Sequence, residues 1–125
     1  MGLIYTKISL RNPREPESVA MQVRALADTG SMHLCIPEHF AVQLKLTTLY
    51  EREVITADGS KKLCAYVGPI EVGFNGRACF TGALVLGEEV LLGAVPMEDM
   101  DLVINPATRN VTPNPKSPNI PSSRA

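Results

Sequence analysis

Apolar residues in this chain recur at every second position, in short runs that strong turn formers interrupt. Ile4, Thr6, Ile8 and Leu10 fall on one side of a run whose other side holds Tyr5, Lys7 and Ser9. Period two places the first set on one face of a half-buried strand. Two prolines among charges make Arg11 to Glu17 a loop. The alternation resumes from Ser18 to Ala27, with Val19, Met21, Val23 and Ala25 facing one way, and this strand runs directly into Asp28. Met32 to Ile36 can form a further short strand, and from Tyr50 onward the pattern is again that of strands. Asp58-Gly59 and Asn75-Gly76 both tolerate positive φ at the tip of a tight hairpin. Between them Gly68-Pro69 breaks the run that begins near Leu63. Arg77 to Leu86 and the apolar Val90-Leu91-Leu92-Gly93 complete a series of short, closely spaced strands. Such a series closes or folds over into a barrel, so the fold class is mainly β.

Helix signals are few. Pro37 suits a first helical position, Glu38 suits the positive helix end, and Phe40 and Leu44 share a face, so Pro37 to about Leu44 is expected as a short helix. Pro96 to Met100 can start one more helical turn. Leu102-Val103-Ile104 then reaches the turn initiator Asn105-Pro106. Past residue 112 the chain holds Pro113, Pro115, Pro118 and Pro121 among Asn, Ser and Lys, a composition that buries little and is expected to be extended or disordered. The expected division is a domain over residues 1–112 and a proline-rich tail over 113–125.

At 125 residues the chain has room for one domain with its own core, and its 45% hydrophobic and 20% charged residues are ordinary for a globular protein. A net charge of -1 without a basic cluster argues against nucleic acid or a membrane surface as partner. Cys35, Cys64 and Cys79 show no CxxC spacing, and Cys35 and Cys79 lie in apolar runs, so buried structural thiols are the plain reading. The N-terminus lacks the charged-then-apolar pattern of a signal segment, and no apolar run is long enough to span a bilayer. A cytoplasmic setting is the expectation.

Only at Asp28-Thr29-Gly30 does an apolar strand deliver a carboxylate into a glycine turn. Taken alone, the tripeptide is also an ordinary β-turn with Asp at its start. His33, Cys35 and His39 lie close in sequence, but His39 belongs to the next helix and no fourth ligand is spaced to close a zinc site. No metal or cofactor is expected. Glu88-Glu89 and Glu98-Asp99 read as a solvated turn and a helix start.

Context gives the tripeptide more meaning. The stretches Ala25-Leu26-Ala27-Asp28-Thr29-Gly30-Ser31, Thr56-Ala57-Asp58-Gly59-Ser60, Leu91-Leu92-Gly93 with the residues through Leu102, and Asn114 to Pro118 occur in that order. In this the sequence resembles the retropepsin-like aspartic peptidases, the family of retroviral proteases, and within it a bacterial branch of small single-domain members. The resemblance runs from Ile4 to about Ile120. It implies a closed barrel with one short helix after the catalytic strand and another after Leu91-Leu92-Gly93.

The resemblance also implies a chemistry. Asp28 would be catalytic and share one proton with its twin across a two-fold axis, because two carboxylates held that close do not both ionise. Aspartic proteases are the long-known instance of this behaviour. The pair would activate a water for attack on a peptide carbonyl, with no covalent intermediate. Thr29 would hydrogen-bond across the axis, Gly30 would let backbone N–H groups approach the carboxylates, and Ser31 stands where the family has a small residue. Leu91, Leu92 and Gly93 would support the catalytic loop from beneath. Ala57, Asp58, Gly59 and Ser60 would form a flap over an extended peptide, although a plain surface hairpin has the same sequence signature. The partners implied are a second copy of the chain and a peptide or protein substrate.

The sequence departs from the family in one respect that matters. Retroviral enzymes usually pair an acidic residue shortly after the motif with an arginine after the later glycine. Met32 and His33 follow Ser31 here, and Ala94 follows Gly93, so that ion pair is missing. A non-catalytic peptide-binding dimer with the same fold is the alternative function.

Overall fold

The computed structural model describes residues 3–125. Nine strands and two short helices follow one another as β1 (Tyr5–Arg11), β2 (Met21–Ala27), β3 (Leu34–Ile36), α1 (Glu38–Gln43), β4 (Thr47–Ile55), β5 (Lys61–Phe74), β6 (Arg77–Val85), β7 (Val90–Leu92), α2 (Ala94–Asp99), β8 (Leu102–Asn105) and β9 (Asn110–Pro113). Seven strands share one sheet in the order β1-β2-β7-β3-β6-β5-β4, and a further β1–β5 pairing closes six of them into a barrel with β4 outside the ring. The protein is mainly β, as the alternation requires.

Alternation converts directly into burial. Ile4, Ile8 and Leu10 point into the barrel with Val23 and Ala25 from β2, Ile70 and Val72 from β5, and Val90 and Leu92 from β7. All three cysteines are free and buried. Asn75 (φ 45°) and Gly76 (φ 79°) make the β5–β6 hairpin turn, where both residues take the left-handed conformation expected of Asn-Gly.

Several boundaries differ from the sequence expectation, each for a hydrogen-bonding reason. The second strand begins at Met21 rather than Ser18, because the Ser18 amide and hydroxyl both donate to the Glu15 carbonyl in a turn. Val19 is left 87% exposed. The third strand begins at Leu34 rather than Met32, since the Ser31 and Met32 carbonyls accept from the Ala94 and Val95 amides instead of from a ladder. Those same bonds start α2 two residues earlier than expected.

Gly68-Pro69 does not end its strand. The peptide there is cis, and β5 shifts register between Val67 and Ile70 and changes partners within one continuous run. Its first half, Lys61 to Gly68, pairs with β4 in a projecting hairpin, whereas Glu71 to Gly73 pair with β1 and close the barrel.

The proline-rich tail is held in place, and by polar groups. Asp101 accepts from Asn114 Nδ2 (3.0 Å), the Ser122 amide (2.9 Å) and, in a short bond, the Ser117 hydroxyl. The Asn114 amide donates to the Asp101 carbonyl at 2.9 Å, and buried Arg77 donates to the Met100, Asp101 and Ser117 carbonyls. Apolar composition alone does not reveal an anchor of this kind.

Candidate active site

Asp28 leaves the barrel at the end of β2, where β2 runs parallel to β7 with Ala25, Leu26 and Ala27 opposite Val90, Leu91 and Leu92. Its amide extends that ladder by donating to the Leu92 carbonyl at 3.0 Å. The chain then turns tightly: the Ser31 amide donates to the Asp28 carbonyl at 3.1 Å, and the Gly30 amide donates to Asp28 Oδ1 at 2.9 Å. A β-carbon on Gly30 would stand 3.1 Å from that oxygen, so glycine keeps the approach open. Asp28 is half-buried, and Thr29 and Gly30 are exposed.

Gly93 braces the turn from the other side. A β-carbon there would lie 2.4 Å from the His33 carbonyl oxygen and 2.7 Å from that of Ser31. Its φ of -84° is open to any residue, so space rather than backbone conformation demands glycine. Leu91 and Leu92 divide their work by strand alternation. Leu92 is fully buried in the main core, whereas Leu91 is half-buried beside Cys35, Cys64 and Leu84 and faces outward to the cleft.

That cleft, of about 550 Å³, separates the Asp28 turn from the β4–β5 hairpin. Asp28, Gly30, Ser31, Leu91 and Ala57 line it, whereas Asp58, Gly59 and Ser60 do not. They shape the hairpin tip instead. Asp58 Oδ1 accepts from the Thr56 hydroxyl (2.6 Å), the Ser60 hydroxyl (2.7 Å) and the Ser60 amide (3.0 Å), which hold the Asp58 carboxyl down to about 2. Gly59 takes φ 85° within this turn. The inner face of the hairpin arm is Arg52, Val54 and Thr56, a set at period two that the sequence reading missed although the alternation carries it. Met32, His33, Cys35, Leu84 and Leu86 complete the walls.

A second hollow, of about 450 Å³, opens on the opposite flank of the same turn. Leu3, Ile4, Leu26, Ala27, Ile104 and Pro106 line it together with Asp28 and Thr29. Most of that surface is apolar, and Leu3 is 62% exposed. Among the described residues, no group of three or more His, Cys, Asp or Glu side chains is placed to hold a metal ion, and no helix is long and apolar enough to cross a membrane.

No family model and no curated protein matches the sequence. Solved structures do match. The retroviral protease-like domain of Ddi1 from Leishmania major superposes with a TM-score of 0.60 over 92% of this chain and 90% of that one, at 13% identity. The fold is retropepsin-like. A retropepsin-like aspartic protease from Rickettsia conorii aligns with a TM-score of 0.56 over 83% of this chain and 77% of that one, at 18% identity. The retropepsin-like fold is therefore common to chains that share little sequence.

Proposed function

We propose that two copies of this chain form an aspartic endopeptidase whose active site lies on their two-fold axis. The observation that carries this reading is the placement of Asp28: a half-buried carboxylate at the tip of a braced turn, opening onto a cleft beneath a hairpin. One carboxylate is half of the machinery, and the sequence holds a single Asp-Thr-Gly. An isologous interface supplies the second by placing the same residue twice about one axis. The apolar hollow that reaches from Leu3 and Ile104 to Asp28 and Thr29 supports contact on that flank.

In the dimer one Asp28 carries a proton and the other does not. The ionised member takes a proton from a water, which attacks the scissile carbonyl, while the protonated member donates to the carbonyl oxygen. Thr29 stabilises the paired turns across the axis. The β4–β5 hairpin closes as the flap, and an extended peptide pairs with its backbone. Three buried free thiols suit a reducing compartment such as the cytoplasm.

Incubation with a diverse peptide library, read by mass spectrometry, tests the reading. Cleavage by the wild type that vanishes in Asp28→Asn supports it. Binding of peptides without cleavage by either protein supports the peptide-binding dimer instead.

A further inference from the structure

The cleft wall is largely apolar, and one cation interrupts it. Arg52 sits on the inner face of β4, two residues before Val54. Its guanidinium lies 5.5 Å from the Tyr50 ring centroid and 5.3 Å from that of Tyr66, and the two rings stack at 4.9 Å. Nη2 donates to the Tyr50 hydroxyl at 2.7 Å, and Nη1 reaches His33 Nε2 at 3.4 Å. Burial and the neighbouring Arg52 charge hold the His33 imidazole below its ordinary pKa, which favours an uncharged acceptor over a second cation.

The group is fixed but incompletely used. Arg52 Nε is buried and has no hydrogen-bond partner. Among the described residues Arg52 makes no ion pair, whereas Arg11 pairs with Glu71 and Arg77 with Asp101. Glu53 also borders the cleft, but as the next residue on the strand it projects from the opposite face. A guanidinium N–H left unpaired away from water is costly, and a planar fork already held by aromatic rings loses little freedom when it binds a carboxylate.

We propose that Arg52 is a specificity-determining residue that selects an Asp or Glu side chain of the bound peptide. The proposal rests on the reading of this cleft as a peptide site. A carboxylate entering the cleft meets the Arg52 guanidinium on its wall, and a planar fork of this kind can give a carboxylate two parallel hydrogen bonds. Two-fold symmetry supplies two copies of Arg52, so the selected positions lie on either side of the scissile bond.

The test compares kcat/KM for matched peptides carrying Asp or Glu against Asn or Gln at each position in turn. The expected result is a preference of about 10- to 100-fold for the acid at one position on either side, the range of a charge-assisted hydrogen bond. In Arg52→Gln the ratio should fall to near one, and in Arg52→Glu it should favour Lys. Equal rates for acid and amide peptides in the wild type would overturn the proposal without any variant, and so would an acid preference that survives Arg52→Gln. Should Arg52→Gln fail to fold, Arg52→Lys keeps the charge but not the fork and should retain only a reduced preference; an undiminished one counts against the proposal. Should no peptide be cleaved, the peptidase reading falls by itself. Fluorescence anisotropy with the same peptides on Asp28→Asn protein then decides the subsite: tighter binding of acid peptides upholds it, and equal binding refutes it.

Discussion

A β-carbon on Gly93 would lie 2.4 Å from the His33 carbonyl oxygen, on a stretch that Ala94 and Val95 also bind through their amides. Two backbones that close cannot separate without moving the turn that carries Asp28. Gly93→Ala should therefore lower the melting temperature by the equivalent of ~1–3 kcal/mol or more, as overpacking against a rigid neighbour does. Peptide hydrolysis should fall with it. Scanning calorimetry beside a kinetic assay checks both, and an unchanged melting temperature would mean that the turn is not braced there.

Leu91 and Leu92 should behave differently although they are adjacent and chemically identical. Leu92 is fully buried in the main core, so Leu92→Ala should cost ~2–5 kcal/mol in denaturant unfolding. Leu91 borders the cleft, so Leu91→Ala should cost less stability and act mainly by raising KM. Equal stability losses in the two variants would contradict the assignment of faces.

The hairpin tip gives a third expectation. Asp58 organises its turn through bonds from Thr56 and Ser60 on an exposed surface, away from the barrel core. Asp58→Ala should slow hydrolysis while costing far less stability than Leu92→Ala. Full activity in this variant would remove the hairpin tip from the flap role.

Acid should loosen the C-terminal tail. The Ser117 hydroxyl, the Ser122 amide and Asn114, with Arg77 alongside, hold the Asp101 carboxyl down to about 2. A carboxyl depressed in the folded state contributes stability that is complete above its unfolded value of about 3.9 and is lost as pH falls through the folded one. Wild-type stability should decline between about pH 4 and pH 2, and part of that decline should be absent in Asp101→Asn, with Asp58 contributing in the same window. Asn also suits the positive φ of 55° at this position. Identical pH slopes for wild type and Asp101→Asn would refute the anchor.

What the sequence made legible follows from what periodicity can carry. Alternation located the barrel strands, because inward positions such as Ile8, Leu10 and Val72 are apolar and their neighbours are not. Asp28 stood out as the end of an apolar strand entering a glycine turn, and the ordered stretches that resemble the retropepsin-like peptidases gave that turn its meaning. Boundaries slipped at Val19 and Met32, where backbone groups are taken by turns and by α2, which leaves no mark on hydropathy. The strand change at Gly68-Pro69 looked like a break because proline and glycine signal a bend in either case. Nothing in the sequence singles out Arg52; only the stacked Tyr50 and Tyr66, sixteen residues apart in sequence, make it part of a wall. The exposure of the tail follows from its composition, but its anchor does not, since Asp101 and Arg77 hold it by polar bonds to which apolar composition is blind.

Under the proposed function, hydrolysis needs two Asp28 carboxylates, one from each of two chains. The most direct measurement titrates wild-type protein with Asp28→Asn protein at constant wild-type concentration while the rate of peptide cleavage is followed. Asp28→Asn alone should be slower by at least about 100-fold, the scale of a lost general acid–base group. In the mixture the rate should fall as mixed dimers form, since each has a single carboxylate, and sedimentation should show dimers throughout. A rate that stays constant under excess Asp28→Asn, with the wild type sedimenting as an active monomer, would contradict the account and direct the search to a second acid within one chain.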